Sequence, residues 1–278
     1  MNLYRFKTFR TTYYFPSIVK GLEFLYGLYT PYGLMARVYW WMFRHFPVVR
    51  ILNRVDSGSL DFPYEQIISL MPQKSILSFN MGTPGDEQKI SMLGLEKNVQ
   101  RFFSKYSEKP DAIVLSRHEI DVLTALKDSN VTPKILDFKI EKNYCFFRTS
   151  YVEGKSLSVL YLNEGIVDLS VSISKIHIAC FDSALLSGLS HGDFVPWNIM
   201  VKDGIYKLID WEMADERPLG YDLFYFIYQI GKLFAPNELF IDRINANKAY
   251  LDYYFNAFDI EDWHPYYDDF IQRSYISR

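Results

Sequence analysis

One polar segment constrains the fold of this chain more than any other feature of its 278 residues. Residues 189–213 have the sequence LSHGDFVPWNIMVKDGIYKLIDWEM. Asn198 follows Asp193 by five positions, and an apolar hairpin then leads to Asp210 and Glu212. Because a short hairpin returns the chain to its starting point, we expect Asp193, Asn198 and Asp210 to lie around one point.

Two carboxylates and an amide around one point suit phosphoryl transfer. One carboxylate orients or deprotonates the attacking hydroxyl, and the other, with an amide oxygen, holds Mg²⁺ against the phosphate oxygens. In most proteins such residues are solvated loop groups. Here, however, they belong to two sequence blocks, residues 191–200 and 208–212, whose separation is specific. The segment therefore predicts a phosphoryl-transfer site.

The pattern of HGDFVPWNIM followed by LIDWE resembles the paired motif of the aminoglycoside phosphotransferase and choline kinase-like family, which has the protein-kinase-like fold. The resemblance implies that Asp193 is the catalytic aspartate and that Asn198 and Asp210 are metal ligands, with Glu212 assisting at the metal. It also implies ATP and Mg²⁺ as cofactors.

The apolar pattern around the motif predicts two unlike halves. Short alternating runs predict strands at residues 75–80, 89–95, 99–106, 134–140 and 144–151. Helical periodicity appears at residues 111–127, 166–184, 221–234 and 237–258. We therefore expect an α+β, protein-kinase-like two-lobed fold with a small antiparallel sheet in the N-lobe and a mainly helical C-lobe.

Three domains follow from this division. Residues 1–62 are expected to form an N-terminal amphipathic helical extension, and residues 63–152 the kinase-like N-lobe. Residues 153–278 are expected to form the C-lobe, with the catalytic loop and acceptor-binding helices. The main-chain groups of Tyr151 and Val152, where the lobes meet, would then hydrogen-bond an adenine.

The family resemblance also implies a phosphate loop and a lysine–glutamate pair in the N-lobe. Gly82 and Gly85 lie between the first two strands, in the place of the phosphate loop, although an ordinary β-turn has the same composition. Lys105 in the third strand is the expected phosphate-binding lysine, and Glu119 in the following helix is its expected partner. Lys89 on the second strand is the competing lysine.

The first 60 residues differ from the remainder in charge. They contain eight basic and two acidic residues, hence a net charge of +6, and the remainder carries −9 because the whole chain carries −3. Residues 32–46 fit a helix with Arg37 and Arg44 on one side and an apolar stripe on the other, formed by Met35, Val38, Tyr39, Met42, Phe43 and Phe46.

Two interpretations of this helix remain open. The stripe packs on the domain that follows, or it lies in a membrane interface with its arginines among anionic headgroups. No uncharged apolar run approaches the ~20 residues of a membrane-spanning helix.

These features together predict an ATP- and Mg²⁺-dependent kinase acting on a small-molecule hydroxyl, with a sugar or a lipid-linked glycan intermediate as the favoured acceptor. The alternatives are a catalytically idle kinase-like module that binds nucleotide or a partner, and an aminoglycoside-modifying phosphotransferase. A net charge of −3 argues against nucleic acid as a partner. Only two cysteines, without a disulfide pattern, favour the cytoplasm, with residues 1–60 on the inner membrane face if they bind lipid.

Overall fold

The computed structural model describes residues 3–17, 22–31, 33–96, 100–157, 159–181 and 185–276. The chain divides into two compact units. The first comprises Met1–Ile120 and Lys134–Tyr151, and the second comprises Asp121–Pro133 and Val152–Arg278. A large antiparallel sheet forms the first unit, and the second contains more helix than strand, so the predicted α+β fold class is confirmed.

The sheet of the first unit has eight strands, and each pair of neighbours is antiparallel. The strands are β1 (Leu3–Lys7), β2 (Thr12–Pro16), β3 (Arg54–Val55), β4 (Ile76–Asn80), β5 (Ile90–Glu96), β6 (Gln100–Ser107), β7 (Ile135–Ile140) and β8 (Cys145–Ser150). Their spatial order is β3-β1-β2-β4-β5-β6-β8-β7. The five strands predicted from the sequence correspond to β4 through β8.

Four helices accompany this sheet within the described residues: α1 (Leu34–His45), α2 (Pro47–Ile51), α3 (Tyr64–Leu70) and α4 (Pro110–Ala125). The predicted helix at residues 32–46 corresponds to α1, and Tyr32 lies outside the described residues. The segment expected to form an amphipathic helical extension contains α1 and α2, but it also supplies β1, β2 and β3 to the sheet. The two buried side chains of β1, Leu3 and Phe6, are three positions apart, which is a helical rather than a strand spacing.

The apolar stripe predicted for α1 also differs from the structure. Trp40 and Phe43 are buried against the aromatic side chains of β1 and β2. Of the six stripe residues only Phe43 is buried, and the other five are exposed: Met35, Val38, Tyr39, Met42 and Phe46. The side of α1 that packs on the sheet therefore shares only part of the predicted stripe, namely Phe43 and the ring of Tyr39, which lies 4.8 Å from that of Phe6.

The second unit contains two three-stranded antiparallel sheets and five helices within the described residues. In chain order its elements are β9 (Lys155–Ser156), α5 (Glu164–Ser174), β10 (Ile178–Phe181), β11 (Leu185–Ser190), β12 (Ile199–Lys202), β13 (Ile205–Leu208), β14 (Asp215–Pro218), α6 (Tyr221–Phe234), α7 (Phe240–Ala246), α8 (Lys248–Asn256) and α9 (His264–Ile276). The sheet orders are β10-β11-β14 and β13-β12-β9.

The helix predicted at residues 166–184 is shorter in the structure. It begins two residues earlier, at Glu164, after an N-cap in which the side chain of Asn163 accepts a hydrogen bond from the main-chain nitrogen of Ile166, and it ends at Ser174. The residues that follow form strand β10 instead of a continued helix because they pair with β11. The sequence period does not reveal this partner. Residues 182–184 of the predicted helix, like Val99 of the predicted third strand, lie outside the described residues.

Two further points complete the architecture. The helix predicted at residues 237–258 is divided at Asn247 into α7 and α8. Among the described residues, no helix has the length and apolar character needed to cross a bilayer.

Candidate active site

The loop between β11 and β12 fixes the orientation of the Asp193 carboxylate. The side-chain amide of Asn198 donates hydrogen bonds to Oδ2 of Asp193 at 2.9 Å and to its main-chain oxygen at 3.0 Å. The hydroxyl of Tyr225 on α6 donates to Oδ1 of Asp193 at 3.2 Å. Both carboxylate oxygens therefore have a partner, and the side chain is positioned before any substrate binds.

The surroundings of Asp193 favour its protonated form. Burial raises the pKa of Asp193, and the negative charge of Asp210 raises it further, while His191, Tyr225 and Asn198 act in the opposite direction. Two carboxylates that interact in this way repel each other in the absence of a cation. A bound cation would relieve this repulsion.

The loop itself is anchored by Asp222, in the first turn of α6. This side chain is 3% exposed. Its carboxylate accepts hydrogen bonds from the hydroxyl of Ser190 at 2.7 Å and from the main-chain nitrogens of His191 and Gly192 at 2.9 and 3.0 Å. Asp222 therefore anchors the loop, whereas the N-cap of α6 is Gly220, and no side chain caps it.

His191 packs beneath the loop rather than facing solvent. Its Nε2 lies 3.0 Å from the main-chain oxygen of Ile209, and its ring contacts the buried Trp211 with a centroid distance of 4.8 Å. Burial lowers the pKa of His191, so the imidazole is held in its neutral form and donates from Nε2 to the carbonyl oxygen. His191 thus ties the catalytic loop to the segment that carries Asp210.

The hairpin of β12 and β13 returns the chain to Asp210, as the sequence predicts. Asp203 and Gly204 form its two-residue turn with φ angles of 50° and 77°, the conformation that suits a tight hairpin. The main-chain nitrogen of Ile209 then donates to the main-chain oxygen of Asn198 at 3.0 Å. Asp210 therefore follows directly on a residue bonded to Asn198.

Asp210 has an unusual backbone conformation. Its φ angle is 70°, in the left-handed region that residues other than glycine rarely adopt. Such a conformation costs free energy and is often found where a side chain must be aimed at a functional site. Glu212, two positions on, is half-buried behind the fully buried Trp211.

In the first unit, Lys105 and Glu119 form a buried ion pair. Nζ of Lys105 lies 2.6 Å from Oε2 of Glu119, and the two residues are 5% and 2% exposed. The lysine comes from β6 and the glutamate from α4, which follows it in the chain. Lys89, the competing lysine, directly precedes β5 and is also buried.

Gly82 has a defined place in the loop between β4 and β5. Its φ angle is 68°, and a Cβ atom there would collide with the main-chain oxygen of Lys89. Its main-chain nitrogen donates to the side chain of Asn80 at 3.0 Å, and Nζ of Lys109 donates to the main-chain oxygen of Gly85 at 2.6 Å. The turn geometry alone accounts for Gly82, whereas the space around a Cβ at Gly85 is open.

The predicted adenine-binding residues lie at the division between the units. Tyr151 ends the first unit and Val152 begins the second. The ring of Tyr151 contacts Phe24 at 6.0 Å between centroids, and the guanidinium of Arg101 lies 5.9 Å from the same ring. Phe24 belongs to the N-terminal segment, which therefore packs on the residue at this division.

Sequence reasoning missed two residues of this site. Tyr225 contacts Asp193 from 32 positions along the chain, and Ser190 bonds both to Asp222 and to the main-chain nitrogen of Gly192. One signal was available for Tyr225, because it lies three residues after Asp222 on the same helix and hence on the same helical face.

The structure contains a loop aspartate bonded to an asparagine, a hairpin returning a second aspartate and a separate buried lysine–glutamate pair, which are the kinds of group that phosphoryl transfer requires. Residues 173–267 match the model of the phosphotransferase enzyme family, and this stretch includes Asp193, Asn198, Asp210 and Glu212. The match agrees with the family resemblance inferred from the motifs, and it covers about a third of the chain.

None of the curated proteins matches the chain in sequence. Three similar solved structures are an aminoglycoside phosphotransferase from Streptomyces rimosus in complex with ADP and streptomycin, an amicoumacin kinase in complex with AMP-PNP, Ca²⁺ and Ami, and a macrolide 2'-phosphotransferase from Brachybacterium faecium without ligand. Their identities are 14%, 10% and 14%, and their TM-scores are 0.46, 0.45 and 0.42. They cover 62%, 72% and 55% of this chain and 84%, 78% and 71% of their own chains.

Proposed function

We propose that the chain is an ATP- and Mg²⁺-dependent kinase that phosphorylates a hydroxyl group of a sugar or a lipid-linked glycan intermediate. The observation that carries the proposal is the orientation of Asp193 by Asn198 and Tyr225 in a loop anchored on Asp222. The family match over the same loop supports the phosphotransferase class. The acceptor and the individual residue roles are part of the proposal.

In this proposal Asp193 acts on the acceptor. Its carboxylate orients the attacking hydroxyl and takes its proton while the hydroxyl oxygen bonds to the γ-phosphorus and the bond to the ADP oxygen breaks. Burial, the largest cause of the raised pKa of Asp193, acts in the direction that favours proton uptake by this carboxylate. MgATP, when bound, supplies the phosphoryl group and neutralises part of its charge.

The donor set of the second unit fits a magnesium ion. The amide nitrogen of Asn198 faces Asp193, so its carbonyl oxygen is the atom that it offers to a metal. Asp210 adds a carboxylate beside it, and Glu212 lies two positions farther on. Carboxylate and amide oxygens are the ligands that Mg²⁺ prefers, so we assign Asn198 and Asp210 as metal ligands with Glu212 assisting.

In this proposal the nucleotide is bound by residues of the first unit and by Tyr151 and Val152, the two residues at which the chain passes from the first unit to the second. Lys105, held by Glu119, would neutralise phosphate charge. Gly82 and Gly85 would present their loop to the phosphates. The main-chain groups of Tyr151 and Val152 would bond the adenine.

One observation bears on the acceptor. The C-terminal helices, in the part of the chain expected to bind the acceptor, are rich in acidic and aromatic residues. In the structure, three carboxylates of this region are paired with nearby residues: Asp252 with Lys248, Asp262 with His264 and Asp269 with Arg273. Three of its aromatic side chains are buried: Tyr254, Trp263 and Tyr266. Asp252 and Asp269 already have a cationic partner, so they are less available to the amino groups of an aminoglycoside, which supports a neutral hydroxylated acceptor.

The metal–nucleotide site can be tested without an acceptor through Asp210→Asn. MgATP at 100 times its Kd should stabilise the wild type by about 2.7 kcal/mol, a rise of about 5–10 °C in Tm. Loss of a metal ligand should weaken binding at least about tenfold, because even supporting groups of metal sites contribute 10- to 100-fold. We therefore expect differential scanning fluorimetry to show the shift at least halved in Asp210→Asn.

The control is Asp203→Asn, since Asp203 also has a positive φ angle but lies exposed in the hairpin turn. Asparagine tolerates this conformation, so both variants should keep their backbone. An equal shift in wild type and Asp210→Asn would remove Asp210 from the metal site. No shift in the wild type would favour the idle-module alternative.

Tyr225→Phe tests the positioning of Asp193. It removes one hydrogen bond to the carboxylate and leaves the ring in place, so kcat should fall about threefold to tenfold, the equivalent of about 1 kcal/mol. ADP release in the presence of the identified acceptor measures this. Tyr253→Phe is the matched control, because its hydroxyl donates to Asp168 rather than to Asp193. Equal rates for both variants would show that Tyr225 does not position the carboxylate.

The acceptor is sought by measuring ADP release from MgATP in a panel of sugars, lipid-linked glycans and aminoglycosides. The proposal predicts turnover with a sugar or glycan and little with aminoglycosides. Turnover with aminoglycosides alone would make the chain an antibiotic-modifying enzyme.

A further inference from the structure

The outward side of α1 and α2 is apolar although it faces solvent. Three side chains at the two ends of this helix pair, Leu34, Met35 and Leu52, are 76%, 81% and 80% exposed. Between them Val38, Trp41, Met42, Phe46, Val48 and Ile51 are exposed as well. The surface of a soluble protein rarely exposes so many large apolar side chains next to one another unless they bind a partner.

This exposure is not explained by the packing of α1. The helix already rests on the sheet through Trp40 and Phe43, which stack on each other with a centroid distance of 5.7 Å and contact Phe6 of β1. The exposed residues Leu34, Val38 and Met42 follow each other at four-residue intervals and hence form a separate row. The helix is thus apolar on two sides, and only one of them is covered by the first unit.

The same segment is strongly basic. From Leu34 to Val55 the sequence has four arginines and no acidic residue. Arg37 and Arg54 are exposed, and the apolar row lies among these positive groups. An apolar surface edged by arginine and tryptophan is complementary to the boundary between anionic headgroups and acyl chains.

A second exposed aromatic group lies in the turn between β1 and β2. Phe9 is fully exposed, and Lys7 and Arg10 beside it are exposed too. β1 also pairs with β3, which follows α2 directly. Like the outward side of α1 and α2, this turn therefore exposes an apolar side chain between basic ones.

We propose that α1 and α2, together with the turn between β1 and β2, dock the protein on an anionic lipid bilayer. The apolar row enters the acyl boundary while the arginines contact lipid phosphates, so the helices lie in the plane of the membrane. The remainder of the chain, with its charge of −9, is repelled by the same surface, and the two effects together orient the protein. The docking surface is independent of the proposed catalytic function.

The test is sedimentation of the full-length protein with vesicles of phosphatidylcholine, with and without phosphatidylglycerol, and without nucleotide. The variant Leu34→Asp/Met35→Asp places two carboxylates in the first turn of α1, where the helix dipole favours them, so the fold is retained. We expect its partition coefficient on anionic vesicles to be at least about tenfold lower than that of the wild type. The matched control is Val114→Asp, an exposed apolar residue of α4 in the same unit.

The proposal predicts strong wild-type binding to the anionic vesicles, weaker binding at 1 M NaCl than at 0.1 M because the charges are screened, and an unchanged partition coefficient for Val114→Asp. It is overturned if the wild type stays in the supernatant or if the double variant binds as well as the wild type. It is also overturned if analytical ultracentrifugation without lipid shows a wild-type dimer that the double variant dissociates, since a second copy would then cover this face.

Discussion

Asp193→Asn is expected to lower kcat by a factor of about 10² to 10⁴, the range associated with loss of a general base. The amide has the size of the carboxylate, and its oxygen can keep the hydrogen bond from Asn198 while its nitrogen donates to the hydroxyl of Tyr225, which then accepts instead of donating. The amide cannot take the proton of an acceptor hydroxyl. The thermal shift with MgATP should persist, because Asn198 and Asp210 remain. ADP release with the identified acceptor and fluorimetry on the same preparation measure the two effects.

Stability separates this outcome from unfolding. Burial and the charge of Asp210 both oppose the ionised form of Asp193. A group whose folded-state pKa is raised destabilises the folded protein once it is ionised, so its neutral isostere should melt at the same temperature or higher in EDTA. Asp215→Asn, on an exposed carboxylate of the same unit, should change neither rate nor Tm. Full turnover by Asp193→Asn would exclude Asp193 as the base.

The parts of the fold that could be predicted from the sequence are those whose pattern is local. β4 through β8 have short apolar runs bounded by turn residues, and α6 has a regular helical period. The type of each of these elements, strand or helix, can therefore be predicted from its own residues. β1 and β2 could not be predicted in this way. Tyr13 of β2 pairs with Asn80 of β4, 67 positions later, and no local pattern encodes a partner so far away.

The same distinction between local and long-range structure applies to the candidate site. The spacing of Asp193, Asn198 and Asp210 could be interpreted because a loop and a hairpin are local structures, and the hairpin has a recognisable Asp-Gly turn. The contact of Tyr225 with Asp193 depends on how α6 is placed against the loop, which is a property of tertiary packing. The positive φ of Asp210 likewise becomes visible only in the structure.

Replacement of Asp222 by alanine should have the largest effect on stability. The change leaves the buried hydroxyl of Ser190 and the buried main-chain nitrogen of His191 without their acceptor, whereas the nitrogen of Gly192 keeps its contact with Ser190. Each unsatisfied group costs about 1–3 kcal/mol. A total of about 3 kcal/mol or more corresponds to a fall in Tm of about 6–12 °C. Urea unfolding measures the loss of free energy, and fluorimetry the fall in Tm.

The matched control for Asp222→Ala is Asp242→Ala. Asp242 is also an acidic residue in the first turn of a helix, but it is exposed. Asp242, like Asp222, interacts favourably with the helix dipole, an effect worth about 0.3–1 kcal/mol. It does not accept hydrogen bonds from buried donors as Asp222 does. A similar loss of stability in both variants would mean that Asp222 acts only on its own helix.

The role of Asp222 as an anchor also predicts an effect on rate in protein that is still folded. At a temperature well below the Tm of the variant, the loop that it held at His191 and Gly192 is released, so the Asp193 carboxylate loses its fixed position while its chemistry is unchanged. We therefore expect kcat to fall at least about tenfold in Asp222→Ala and to stay unchanged in Asp242→Ala. Normal turnover by folded Asp222→Ala would show that the loop keeps its geometry without this carboxylate, and would place the anchoring instead on the contact between His191 and Ile209.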